Sequence, residues 1–260
     1  MIVLCCYDRE VSLEGIMEKK KIKSQVRKVG KSAKTALRGF LKKNDQDKLR
    51  QFRVGIKKLR AVASMIEATN TRIDIKDELK PVKDTYRVSG DIRDSHLHIQ
   101  LAKTLPKADT RYLSSEKQVM TKATRKLCKN RLNHISKLRS AEKRLIKHIP
   151  KVKDKKIRDF YENELQGIAA CLISSVEVEQ LHGCRKRLKV LLYNFPLVKD
   201  SLHVAFNEEY LQQVQTAIGD WHDQVLAADQ FPELKSSTQR MLKKVKSVTK
   251  NFHIRAIGQD

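Results

Sequence analysis

Residues 50–66 constrain this chain most. Phe52, Ile56, Leu59, Ala63 and Ile66 fall at i, i+4, i+7, i+11 and i+14, an apolar stripe that only a helix turns toward one side. Arg50, Arg53, Lys57 and Arg60 make a second stripe that trails the first by one residue, about 100° of helical rotation. A solvated charged face normally lies opposite the apolar one. These cations flank it instead, where a core ends and a cleft can begin.

The arrangement recurs later in the chain. Leu181, Cys184, Leu188, Leu191 and Phe195 form an apolar stripe, with His182, Arg185 and Lys189 one residue behind its first three members. Aligning Arg53 with Arg185 places Arg50 on His182 and Lys57 on Lys189, an offset of 132 residues. Gly90-Asp91-Ile92-Arg93-Asp94 and Gly219-Asp220-Trp221-His222-Asp223 recur at an offset of 129. Two motifs in the same order and nearly in register predict an internal duplication with a unit of about 130 residues.

Aromatic residues make up only 5% of the sequence, and Gly and Pro number 9 and 5, which suits helices better than strands and tight turns. The net charge of +25 points to a polyanion or an anionic surface as partner. Cys5, Cys6, Cys128, Cys171 and Cys184 are odd in number and lack C-x-x-C spacing, so neither a disulfide framework nor a zinc site is expected. Reduced thiols in a cytoplasmic protein are the simplest account. No apolar run reaches the ~18 residues that span a bilayer, so no membrane partner is expected. Residues 1–16 read as a poorly ordered extension, with Met17 as an alternative start.

Every charged residue from Lys19 to Lys43 is Lys or Arg, and Ile22, Val26, Val29, Ala33, Leu37 and Phe40 recur at three- to four-residue steps, a basic amphipathic helix. Gly30-Lys31-Ser32 is no P-loop end, because Gln25 stands where the first glycine belongs. Asn44 to Asp47 ends this helix and caps the next. A third helix is expected from about Ile73 to Leu105, with Pro81 in its first turns or breaking it, and Pro106 stopping it. A fourth covers 109–148, and between Lys117 and Arg158 only Glu142 and Asp154 are acidic. Pro150 separates the halves, 17–150 and 151–260. The second half repeats the plan with helices from about Lys153 to Ser174, from His182 to before Pro196, from Phe206 to Gln230, and from Pro232 to near His253. The predicted fold is all-α: eight helices, four per half, in two antiparallel four-helix bundles packed together.

Four stretches resemble the CHAD domains (conserved histidine α-helical domains), over residues from about 20 to 255. Arg50-Gln51-Phe52-Arg53-Val54-Gly55-Ile56-Lys57-Lys58-Leu59-Arg60 is similar to H-x-x-R-V-x-x-R-R-L-R, and Ser89-Gly90-Asp91-Ile92-Arg93-Asp94 to L-G-x-x-R-D. Leu181-His182-Gly183-Cys184-Arg185-Lys186-Arg187-Leu188-Lys189 is similar to L-H-x-x-R-K-x-x-K, and Ile218-Gly219-Asp220-Trp221-His222-Asp223 to L-G-x-x-x-D. Arg50 stands in place of the first motif histidine, Ser89 in place of a leucine, and Lys57 and Lys58 in place of arginines. The resemblance implies two four-helix bundles related by a pseudo-twofold, around a basic groove that binds inorganic polyphosphate. Some members are fused to triphosphate-hydrolysing domains, for which this chain has no room.

On this reading the polyphosphate-binding residues are Arg50, Arg53, Lys57, Arg60, Arg93, His182, Arg185, Lys189 and His222. Arg forks take phosphate oxygens bidentately and Lys supplies a point charge, so two facing stripes suit a phosphate chain. The alternative is that these side chains snorkel along the bundle edge. Asp91, Asp94, Asp220 and Asp223 are expected to orient the cations, with a divalent ion as the lesser alternative. Tyr193 offers a hydroxyl donor or a packed ring. Gly90 and Gly219 are expected to let helices approach closely. No catalytic residue, metal or cofactor is expected, and the protein would be cytoplasmic, with polyphosphate granules as a destination. A nucleic-acid partner ranks second, because few aromatics are available for stacking and no nucleic-acid signature is present. A metal-dependent phosphohydrolase ranks third, since no nucleophile with a paired base appears.

Overall fold

The computed structural model describes residues 16–70, 74–104, 109–174, 177–202 and 206–258. The expectations for residues 1–15 (among them Cys5 and Cys6) and for Leu105 and Pro106 fall outside these. The first half contains α1 (Lys19–Lys43), α2 (Gln46–Thr69), a 3₁₀ helix (Lys76–Val82), α3 (Lys83–Ala102), α4 (Thr110–Lys129) and α5 (Arg131–His148). The second contains α6 (Asp154–Ser174), α7 (Val178–Leu202), α8 (Glu208–Gln230), a 3₁₀ turn (Pro232–Leu234), α9 (Lys235–Val248) and α10 (Phe252–Ala256). One two-residue pair completes the fold, β1 (Ile16–Met17) antiparallel to β2 (Val152–Lys153), with Met17 opposite Val152. The architecture is all-α, as the sequence predicts. Ile16, assigned to the extension, is part of β1.

The apolar periodicities become buried faces. Ile22, Val26, Ala33, Leu37 and Phe40 of α1 and Phe52, Ile56, Leu59, Ala63 and Ile66 of α2 are fully or almost fully buried. Between the two helices Asn44 takes a left-handed conformation (φ 54°), and the Asp45 carboxylate accepts from the amides of Asp47 (2.9 Å) and Lys48 (3.1 Å), capping α2. Gly55 lets α1 and α2 pack closely, since a Cβ there would lie 2.8 Å from that of Ala33.

α1 packs on α2 and α5, and α5 covers the first 3₁₀ helix. α6, α7, α8 and α9 pack in sequence, with α10 against α6 and α8. α2 joins the two sets by packing on α7 and α6, and one apolar core runs continuously from Met17 to Ala256. At the α2–α7 contact the buried Asn194 amide donates to the Ala61 carbonyl (2.9 Å), which fixes their register. α3 with α4, and α8 with α9, form helical hairpins with thin apolar seams. α4 buries Ala123 and Leu127, and α9 buries Val245. Tyr112 at the start of α4 meets Phe231 after α8 edge-on, ring centroids 5.4 Å apart.

Three boundaries differ from expectation. The helix expected over 109–148 breaks at Asn130, because its parts serve different neighbours: α4 packs on α3 and α5 on α1. Asn favours such junctions, since its side chain competes with the helical backbone. α7 continues through Pro196, carried by Leu197, Val198 and Leu202 buried beyond it. Tyr161 donates to the Leu191 carbonyl (2.8 Å) in the turn before that proline. The last helix stops at Val248, and the left-handed Asn251 (φ 55°) starts α10. Pro81 sits in a 3₁₀ helix that leads directly into α3, so the expected third helix is divided there, one of the two alternatives for this proline. Cys171 and Cys184 form a disulfide between α6 and α7, correcting the expectation of reduced thiols for this pair; among the described residues Cys128 is free. Their distance in sequence gave no spacing signal, and adjacent turns of two packed helices bring them together.

Candidate functional site

The cations of α2 and α7 come together because both helices present their apolar stripe to the shared core. The residue one step behind each stripe then stands at the α2–α7 seam. Arg53 and Lys57 from α2 and Arg185 and Lys189 from α7 are all half-buried there. The Lys57 ammonium is held below the usual lysine range by burial first, then by the Arg53 and Arg185 guanidiniums. Lys189 is pushed down to about 8 by burial, with Arg185 and Lys57 adding to it. The sequence alone places the two arginines 132 residues apart. In the folded chain both act on Lys57, and Arg185 acts on Lys189 as well.

Each arginine is seated on the glycine of a Gly-Asp motif. A Cβ on Gly90 would lie 2.9 Å from Arg53 Nη1, and one on Gly219 would lie 2.6 Å from Arg185 Nη2. Both glycines therefore make room for a guanidinium, rather than for the close helix–helix approach expected of them. Arg53 Nη1 donates to the Tyr86 carbonyl (3.0 Å) and to Ser89 Oγ (3.3 Å), and Ser89 donates to the same carbonyl (2.7 Å). The serine that departs from the family's leucine thus supplies an acceptor to the first motif arginine. Arg185 instead meets Asp223, Nη1 to Oδ1 3.5 Å, while its Nε is buried without a partner among the described residues.

The remaining expected residues flank this centre in two corners. Arg50 is exposed and pairs with Asp47 (3.6 Å), and its charge, after burial, holds Arg93 below the usual arginine range. In the positions equivalent by sequence, His182 and His222 stack with ring centroids 4.2 Å apart and planes 25° apart. Burial, then His222, Lys186 and Arg185 lower the His182 pKa, so this imidazole is neutral at pH 7. Its Nδ1 is buried without a partner among the described residues. His222 Nδ1 lies 3.5 Å from Asp223 Oδ1.

Arg60 shows what the sequence reading missed. Its guanidinium and that of Arg53 both lie on the Tyr86 ring, 4.3 and 4.6 Å from the centroid. The available signal was positional: Tyr86 stands one helical turn before Gly90. Tyr193 is half-buried with Lys58 over its ring at 5.8 Å, and burial raises its phenol pKa.

Carboxylates near the centre are few and exposed. Asp94 and Asp223 are those that favour the charged form of Lys57, and Asp91 and Asp220 are also exposed. Among the described residues no group of three or more His, Cys, Asp or Glu side chains gathers as a metal site would need. The arrangement can therefore hold an anion: fixed guanidinium donors and two ammonium groups whose charge is poorly compensated by the protein itself.

The model of the CHAD domain family matches residues 22–231. The chain belongs to the CHAD family. Among solved structures, it resembles the crystal structure of the CHAD domain from the plant Ricinus communis, with a TM-score of 0.64 and 13% identity over 95% of this chain and 90% of that one. At that identity the likeness speaks for the fold alone. No curated protein matches the sequence. Among the described residues of this CHAD domain, no helix is long and apolar enough to cross a membrane.

Proposed function

We propose that this CHAD domain binds inorganic polyphosphate without hydrolysing it, along the cations that α2 and α7 bring together. One observation carries the reading. Lys57 and Lys189 are held below their usual range by burial first and then by the cations beside them, so the free site carries an electrostatic cost that a bound anion relieves. A row of cations contributed by two helices suits a flexible chain with about one charge per phosphate. The sequence matches of Arg50, Arg53 and Lys57 to His182, Arg185 and Lys189, and the equivalent seats on Gly90 and Gly219, support a duplicated unit whose copies each give one side of a basic groove.

Nothing in this cluster pairs a nucleophile with a base, which favours binding over turnover. The site's aromatic rings are already engaged, Tyr86 beneath two guanidiniums and Tyr193 beneath Lys58, so they offer no free stacking platform for nucleobases. Competition at fixed ionic strength between long-chain polyphosphate and single-stranded DNA of matched charge tests the reading. Polyphosphate should displace the DNA. Preference for DNA would overturn the proposal, and release of free phosphate on incubation with Mg²⁺ would replace binding by hydrolysis.

A further inference from the structure

A second cationic surface lies on elements that carry none of the expected polyphosphate-binding residues. The end of α1 and the start of α5 form a groove of about 690 Å³. Its floor is apolar: Leu41 and Ile135 are half-buried at the core's edge, and Leu132 stands 79% exposed beside them. Its rim is cationic, with Arg38 and Lys42 from α1 and Arg131 and Arg139 from α5, all exposed. None of the four is held in an ion pair among the described residues. The helices that build the groove cannot neutralise it: α1 has no acid, and the one acid of α5, Glu142, is buried against Lys34 (2.6 Å).

Two features of α5 lack an intrahelical reason. Helix starts attract acidic side chains, yet the first turn of α5 has none and Arg131 opens it. Leu132 follows at once and covers no core. An exposed large apolar side chain ringed by unpaired cations is the surface counterpart of an anchor flanked by acids.

We infer that this groove docks an acidic amphipathic helix of a partner protein, with leucine-type anchors on Leu41, Leu132 and Ile135 and carboxylates on the cationic rim. Helix-in-groove recognition uses apolar anchors at i, i+3, i+4 and i+7. Charge complementarity selects the acidic flanks. A second copy of this chain is a poor occupant, because two bodies of charge +25 repel. A phosphate polymer has nothing apolar to place on Leu132. The groove would let a domain engaged with its polyanion hold a protein at the same time.

The test uses the full chain and a fluorescent helical peptide of about 18 residues with a leucine stripe flanked by Glu and Asp, followed by anisotropy. A peptide of identical composition with the leucines dispersed serves as the control. The striped peptide should bind at least about tenfold more tightly than the dispersed one, and Leu132→Asp should abolish that difference. Because Leu132 is exposed, this variant should keep the parent's thermal unfolding. Arg131→Glu with Arg139→Glu provides a second, independent loss. Arg53→Ala with Arg185→Ala should leave peptide binding unchanged, which separates this groove from the polyphosphate site. Equal binding of the two peptides, or indifference to both sets of groove substitutions, overturns the inference. So does binding to phosphatidylserine vesicles that Leu132→Asp abolishes while peptide binding persists, since the groove would then be a lipid contact.

Discussion

At the scale of single residues, the site depends on cations kept close by the fold and left short of counter-charge. Arg53 and Arg185 are its two fixed forks, held through Tyr86, Ser89 and Asp223. Replacing both by Ala should weaken polyphosphate binding by about 100-fold, at the scale of two lost charge-assisted contacts. Replacing the exposed Lys143 and Lys147 of α5 should cost no more than a few-fold, as expected for diffuse charge. Titration calorimetry on both double variants checks the ratio, and equal losses would mean a general field with no site. Lys189 adds a pH dependence. Its ammonium loses its proton at about pH 8 in the free protein, and a bound anion stabilises the charged form, so binding takes up a proton near that pH. Affinity should therefore fall as pH rises through 8. Calorimetry in buffers of different ionisation enthalpy should show the uptake, and Lys189→Arg should reduce it, since guanidinium stays charged.

Between elements, three glycines distinguish packing from site geometry. At Gly55 the neighbour is the Ala33 Cβ, on a helix that cannot easily retreat. Gly55→Ala should destabilise the protein by about 1–3 kcal/mol through overpacking of α1 on α2, measured by chemical denaturation. At Gly219 the neighbour is the Arg185 guanidinium, which can swing aside. Gly219→Ala should keep or raise stability, helped by up to ~1 kcal/mol of helix propensity, while lowering polyphosphate affinity. Gly90→Ala should act in the same way on Arg53. Stability and binding moving in opposite directions is the signature that a glycine serves a side chain's seat. These roles were only half legible in the sequence. A glycine inside a helical pattern signals close contact, but whether helix or guanidinium fills the space depends on how α3 and α8 lie on α2 and α7. Boundaries were less legible still. Pro196 reads as a stop, yet burial of Leu197, Val198 and Leu202 outweighs one lost helical hydrogen bond.

For the whole molecule, the charge of +25 sets the response to salt and to ligand. The logarithm of affinity for polyphosphate should fall with the logarithm of salt concentration, by about 0.7 per phosphate neutralised. A salt-independent affinity would remove the electrostatic basis of the proposal. The same ligand should stabilise the fold by about 2.7 kcal/mol at a hundredfold excess over Kd, seen as a raised melting temperature. Because α2 and α7 sit in one continuous core, that stabilisation should appear as a single shifted transition.

The sequence by itself determined the helices and which way they face, because periodicity of apolar side chains is a local property and the core rewards it directly. It also placed the four motif stretches by which the chain resembles its family. Tertiary structure alone decided what those cations meet: Tyr86 beneath Arg53 and Arg60, His182 stacked on His222, the Cys171–Cys184 bond, and the break at Asn130. Each depends on how separate helices approach one another, and that approach is set by the sum of many packing contacts rather than by any one stretch of the chain.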